Sequence, residues 1–281
     1  MIRNSLSQEL QMFEGLSLEQ LNEKSSFMER MEAKYLLPLS DLPTLLRTLQ
    51  HTYKILTIRN NSLFTYDNIY MDTDDYFFYT QHQNQESFRT KLRTRNYVES
   101  DLWFVEFKQK EKKAIRKFRY QTDASGHGII TPQTAEFFDG LFQNLYGHSF
   151  TSPITPALHN NYQRITLCHN DGIERITIDF NINFSDLRGD QKNTASLTNV
   201  AIIESKSGQK KPPSKEFLKE TELLRAEWCS KYCLGLYFTE QQLEFSHFLP
   251  TIATIQQLEK NASQPHTTIE KQPNRAYALR A

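Results

Sequence analysis

Apolar residues recur at helical intervals up to about residue 27 and at every second position after it, so the chain passes from helix to strand near residue 28. Residues 5–15 and 16–27 carry Leu, Met and Phe on one helical face, and Ser17 stands where a cap would precede Glu19 and Gln20. Alternation then marks eight stretches: 29–37, 64–72, 88–97, 102–110, 115–122, 160–168, 173–183 and 199–207. Eight antiparallel strands are enough to close a small barrel. Between them, 41–53 and 131–146 have helical spacing with a Pro near the start, and Thr131 is a candidate cap for the second. Residues 214–233 read as one further helix, and the stretch from 250, rich in Thr, Gln, Asn and Pro, as a helical turn followed by a disordered tail. The expected organisation is a helical arm over 1–27, one large domain over 28–249 and a tail over 250–281. Its class is α+β, an eight-stranded antiparallel β-barrel with helices packed outside.

Side chains at i and i+2 of a strand share a face, so each stretch can be divided in two. The first puts Arg30, Glu32 and Lys34 together, opposite Met31, Ala33 and Tyr35. The second contributes Tyr70 and Asp72; the third gathers Arg89, Lys91, Arg93 and Arg95 opposite Phe88 and Leu92. The fourth sets Glu106, Lys108 and Lys110 against Val105 and Phe107, and the fifth Lys117 and Arg119 against Phe118 and Tyr120. Tyr162 and Arg164, then Arg175, Thr177 and Asp179, then Glu204 and Lys206 complete the polar face.

That face holds thirteen basic and five acidic side chains, whereas the whole chain of 281 residues balances 33 Lys and Arg with 33 Asp and Glu. A neutral chain is not a nucleic-acid coat, so the location of the charge matters more than its sum. A solvated sheet face relieves repulsion by mixing signs; the third stretch is uniformly basic, and like charges across a sheet destabilise it. Amphipathic helices covering the apolar faces from outside turn the basic face inward, where an anion can supply the missing charge.

Other chemistry is thinly represented. The 9 glycines form no phosphate loop or dinucleotide fingerprint, and the 8 histidines have no ligand spacing, so they read as surface residues. Cys168, Cys229 and Cys233 fit no metal finger; Cys229 and Cys233 read as small core residues. Odd cysteine number and the absence of an apolar leader in MIRNSLSQELQMFEGL point to the cytoplasm, and no apolar run reaches transmembrane length. Among the acids, Glu204 is the first candidate ligand for a divalent cation, with Glu32 and Glu106 second. For those two a salt bridge to a neighbouring cation is an equal alternative, and Asp179 reads as structural.

Together these residues resemble the vacuolar transporter chaperone (VTC) domain, the polyphosphate polymerase branch of the triphosphate tunnel metalloenzymes. The resemblance runs from about residue 28 to 236. It rests on the ordered set Arg30-x-Glu32-x-Lys34-Tyr35, Ile69-Tyr70-Met71-Asp72-Thr73, Lys91-Leu92-Arg93-x-Arg95-x-Tyr97, Val105-Glu106-Phe107-Lys108 and Lys117-x-Arg119, then Tyr162-x-Arg164, Arg175-Ile176-Thr177-Ile178-Asp179, Ile203-Glu204-x-Lys206 and Ser230-Lys231-Tyr232. It implies a tunnel in which manganese or magnesium and basic side chains orient ATP, whose terminal phosphoryl group passes to a growing polyphosphate chain. By the same resemblance Lys34, Arg93, Arg95, Lys108, Arg164 and Arg175 hold the triphosphate, Tyr162 assists, Glu204 binds metal, and Ser230 and Lys231 touch phosphate at a tunnel mouth. An inorganic triphosphatase and a non-catalytic polyphosphate-binding module are the alternatives. Arg30 replaces the first Glu of the related CYTH pattern, which favours the VTC branch, and Trp228 stands where eukaryotic members place an extra basic residue.

Overall fold

The computed structural model of the chain describes residues 2–25, 31–112, 114–189, 193–215, 217, 224–239 and 241–262. It is a mixed fold of helices and antiparallel sheet. Helices α1 (Ile2–Gln11) and α2 (Leu18–Ser25) come first, as their apolar spacing predicts. Between them the two-residue β1 (Gly15–Leu16) pairs in parallel with β3 (Tyr53–Leu56), a strand too short to show a period in sequence.

The eight expected strands form. They are β2 (Met31–Pro38), β4 (Phe64–Asp72), β5 (Phe88–Tyr97), β6 (Leu102–Glu111), β7 (Ala114–Thr122), β8 (Thr155–His169), β9 (Glu174–Asp186) and β11 (Val200–Ser207). Two short strands join them: β10 (Thr194–Leu197) beside β9, and β12 (Leu224–Arg225) beside β2. The order is β12-β2-β11-β9-β8-β4-β5-β6-β7. Among the described residues the expected closure into a barrel is not seen. Among the described residues no ladder joins β7 to β2, because β12 pairs with β2 through Leu224 and Leu36, and the Ala226 amide donates to the Lys34 carbonyl at 2.9 Å. The other end, β7, carries exposed Arg116, Lys117 and Arg119, and such charges discourage edge pairing. The sheet nevertheless curls until Glu32 and Lys34 of β2 line the same cavity as Ile115 of β7.

Helices cover the convex side. On one half α3 (Leu42–Leu49) buries Leu42, Leu45, Leu46 and Leu49 in a cluster with Ile165, Leu167, Ile176, Ile178 and Ile203. On the other, α5 (Pro132–Tyr146), capped where Thr131 Oγ1 accepts from the Thr134 amide at 3.2 Å, sets Phe138 and Phe142 against Leu92, Val105 and Phe107. These are the outward-packed helices the alternation requires.

The concave side has a charged half and an apolar half, divided at a break in the β8–β9 ladder. Gln163 pairs with Phe180 but Asn161 pairs with Asn183, and Asn181 adopts a left-handed φ of 51°. Such a bulge shifts the side-chain parity. Ile182 and Phe184 thereby join Leu36, Leu158 and Ile202, while Phe180 belongs to the convex cluster. Helices α6 (Lys231–Phe238) and α7 (Leu249–Ala262) fill this half with Tyr232, Leu234, Leu236, Ile252 and Ile255. The single helix expected over 214–233 forms in part: 214, 215 and 217 are helical, 224–225 is a strand along the β2 edge and a separate helix starts at Lys231, while 216 and 218–223 lie outside the described residues. Helix α7 also extends well beyond a turn, because Ile252 and Ile255 have apolar surface to bury; the expected tail over 263–281 lies outside the described residues.

One helix, α4 (Phe77–Gln83), has little helical propensity in its sequence FFYTQHQ. The neighbouring acid organises it: Asp72 accepts from the amides of Thr73, Phe78 and Tyr79 at 2.8, 2.8 and 2.9 Å, and from the Tyr232 hydroxyl at 2.5 Å. Asp72 is therefore removed from the polar lining face and ties α4, β4 and α6 together. Among the described residues no helix is long and apolar enough to cross a membrane. All three cysteines are free and buried.

Because α6 lies hard against the sheet, a Cβ on Gly235 would collide with Leu158 Cδ2 and stand 2.6 Å from Phe184 Cδ1. Gly235→Ala is expected to destabilise the fold by about 1–3 kcal/mol, as overpacking does, read as a lower urea midpoint at unchanged slope.

Candidate active site

The charged half of the concave face is built in rows across the strands. One row sets Lys91 opposite Lys108 and Lys108 opposite Lys117; the next sets Arg93 opposite Glu106 and Glu106 opposite Arg119. Towards the mouth Arg89 faces Lys110, and deeper in, Arg95 faces Asn68 of β4. On the opposite wall Glu204 lies between Lys34 of β2 and Thr177 of β9, while Lys206 lies between Glu32 and Arg175. Seven strands thus contribute to this face.

Its cations fall into two groups. The first is anchored. Arg93 reaches Glu106 through Nε at 2.7 Å, and Lys117 reaches the other oxygen at 2.6 Å. Arg95 donates to Asn68 at 2.7 Å and to the Tyr162 hydroxyl at 3.2 Å. Arg164 grips Asp179 with two bonds, 2.5 and 2.7 Å, and Lys231 pairs with the same carboxylate while lying 4.5 Å from the Tyr162 ring centroid. Lys34 stands 2.9 Å from Glu32 and 3.9 Å from Glu204, which also pairs with Lys206.

Burial alone would raise these carboxyls, but the cations outweigh it. Lys34 and Lys206 hold Glu204 well below the usual carboxylate range, and Arg93, Arg95 and Lys117 do the same for Glu106. Asp179 is lowered by Arg164 and Lys231. Conversely, Glu204 and Glu32 overcome the desolvation of Lys34 and raise it.

The second group has no such partner. Among the described residues, no carboxylate lies within ion-pair distance of Arg89, Lys91, Lys108 or Lys110. These four, with Glu32, Lys34, His82, Trp228, Cys229 and Ser230, line a cavity of about 310 Å³. Burial pushes both Lys91 and Lys108 down to about 8, and neighbouring cations add to the effect. The His82 imidazole is lowered by the same burial, with Lys91 and Arg89 contributing.

A family model for the VTC domain matches residues 29–239, about three quarters of the chain. The chain belongs to the VTC domain family. A comparison with curated proteins finds no match to this sequence. Among solved structures, an adenylyl cyclase candidate from Hippeastrum, described as having a dominant triphosphatase activity, is 14% identical and aligns over 76% of this chain and 97% of its own, with a TM-score of 0.47. A protein from Pyrococcus horikoshii is 14% identical over 75% and 100% with a TM-score of 0.39, and an adenylate cyclase candidate from Bacillus halodurans 12% over 69% and 88% with 0.35.

Within this VTC domain the expected site residues take different stations. Lys34, Arg89, Lys91, Lys108, Lys110 and Ser230 line the cavity, and Arg93, Arg95, Tyr162, Arg164, Glu204, Lys206 and Lys231 form the bonded shell that continues inward from it. Arg175 lies opposite Lys206 in the ladder. Lys117 and Arg119 sit on exposed β7, where the Arg119 guanidinium lies 4.7 Å from the Phe104 ring centroid. Arg30 lies outside the described residues. Glu106 is enclosed by cations and reads as their counter-ion. Sequence reasoning passed over Asn68 and Tyr66, whose parity with Tyr70 was the available signal. It also passed over His82, which sits on a helix with no periodic signature and is not the surface residue expected.

Two lysines that hold protons less tightly when folded make the unliganded protein pH-sensitive. Between about 8 and the ordinary lysine value near 10.4 the unfolded chain binds more protons, so this strain is full below pH 8 and relieved as pH rises. Lys91→Met should therefore be more stable than wild type by about 1 kcal/mol at pH 7, with the advantage shrinking towards pH 10. An anion held by Lys91 and Lys108 would require their charged forms, so any rise in the wild-type melting temperature with added tripolyphosphate should be largest at pH 7 and fall through pH 9.

Proposed function

We propose that this VTC domain binds the phosphate chain of ATP in its cationic hollow and transfers the terminal phosphoryl group to a growing polyphosphate chain. The observation that carries this reading is the set Arg89, Lys91, Lys108 and Lys110 around one cavity, without carboxylate partners among the described residues, in a protein of zero formal net charge. An anion of several charges would relieve the repulsion in such a cluster, and linked phosphates could bridge the pair Arg89 and Lys110 to the pair Lys91 and Lys108 across β5 and β6.

The anchored cations suit the reaction itself. Arg93, Arg95 and Arg164 are held by Glu106, Asn68, Tyr162 and Asp179, so their guanidinium groups need little reordering when charge shifts in the transition state. In the transfer, a terminal oxygen of the acceptor chain bonds to the γ-phosphorus, the bond from that phosphorus to the bridging oxygen breaks, and ADP leaves with the electron pair. The attacking oxygen is already ionised and needs no general base. The carboxylates of the hollow are poor bases, since Glu32, Glu106, Asp179 and Glu204 are all lowered by cations. That favours a phosphate acceptor over water. The second reading, an inorganic triphosphatase, uses the same hollow with water in place of the phosphate acceptor.

Glu32 and Glu204 fit the divalent cation that the family implies. They are hard oxygen donors, both lowered into the ionised form, facing one lysine from adjacent strands. Manganese or magnesium held there would draw its remaining ligands from phosphate oxygens and water. When bound, such an ion neutralises charge on the phosphate oxygens.

Incubation with ATP and manganese decides among the readings. Long polyphosphate is the expected product; free phosphate alone identifies a triphosphatase, and unchanged bound ATP a binding module. Glu204→Gln should lower turnover by about two orders of magnitude while metal-free tripolyphosphate affinity stays within a few-fold, measured by calorimetry. An unchanged rate would remove Glu204 from the site.

A further inference from the structure

The cavity has one wall that a bare phosphate chain does not use. The Trp228 indole lines it beside Lys34, Arg89, Lys91 and Lys108. The ring is half-buried and braced: His247 lies 5.7 Å away between centroids, Phe248 meets it edge-on at 6.4 Å, and Gln85 bonds the His247 ring at 2.7 Å. The Arg89 guanidinium is 6.0 Å from the indole centroid. Trp228 and Phe248 give the otherwise mostly charged and polar lining an aromatic side.

Resting on the phosphate-binding reading of the cavity, we propose that Trp228 is the stacking platform for the purine of a nucleoside triphosphate, with Arg89 at the join between base and phosphates. An indole offers a flat π-face to any base, and an adjacent guanidinium can serve both the ring system and the first phosphate. The site thereby distinguishes a nucleotide donor from inorganic tripolyphosphate, which carries the same phosphates and no base. The basic residue that the resemblance places at this position in eukaryotic members would add charge; Trp228 adds selectivity for the base.

The test measures affinities of ATP and inorganic tripolyphosphate, without added metal, for the wild type, Trp228→Leu and Trp228→Tyr. Leucine keeps apolar bulk against Phe248 but has no π-face, and tyrosine keeps one. Trp228→Leu should weaken ATP about tenfold, within the range for loss of one stacked base, and leave tripolyphosphate within twofold, while Trp228→Tyr restores most of the ATP affinity. In a Trp103→Phe background, ATP should quench the remaining indole fluorescence and tripolyphosphate should not. Equal losses for both ligands would make Trp228 a packing residue and overturn the proposal. Full ATP affinity in Trp228→Leu would overturn it as well. A wild type that binds tripolyphosphate but not ATP refutes the platform alone, whereas one that binds neither refutes the phosphate-binding reading beneath it.

Discussion

Lysines placed directly across a sheet from one another repel, and this fold sets Lys91, Lys108 and Lys117 in a single row. Two of them are desolvated enough to be pushed down to about 8. The repulsion is tolerated because the next row holds Glu106, which ties Arg93 and Lys117, and because the convex face beneath is an apolar layer under α5. The structure thus keeps its anchored cations neutralised and leaves a small remainder exposed to one cavity. That remainder is what an anion of several charges would complete.

The rest of the architecture serves to keep the hollow open and of fixed depth. The break opposite Tyr162, with Asn181 left-handed, turns apolar side chains of β9 inward, so the far half of the concave face becomes a seat for α6 and α7. Lys231, at the first position of α6, then reaches Asp179, and Tyr232 beside it stacks on Tyr70 at 5.0 Å. Helix packing and the anchoring of charge are therefore one arrangement, with Asp72 as its buried fastening.

The strands and their inward faces were legible because strict alternation over eight stretches leaves few other readings, and the β5 row Arg89, Lys91, Arg93 and Arg95 is directly visible in sequence. Three features were not. Among the described residues Leu224 and Arg225 occupy the edge of β2, and a two-residue strand has no period. Asp72 keeps the right alternation for the hollow, yet its carboxylate turns to the amides of α4, a helix formed by tertiary bonds against its own propensity. The parity shift near Asn181 depends on a bulge that nothing in NINFSD announces. Which cations lack a carboxylate partner among the described residues was equally hidden, since it depends on cross-strand neighbours.

The most direct test of the central claim is a crystal structure of the protein with tripolyphosphate. The account predicts phosphate oxygens within hydrogen-bonding distance of Lys91 and Lys108, with Lys34 on the facing wall. Tripolyphosphate seated elsewhere, with those two lysines untouched, would contradict it.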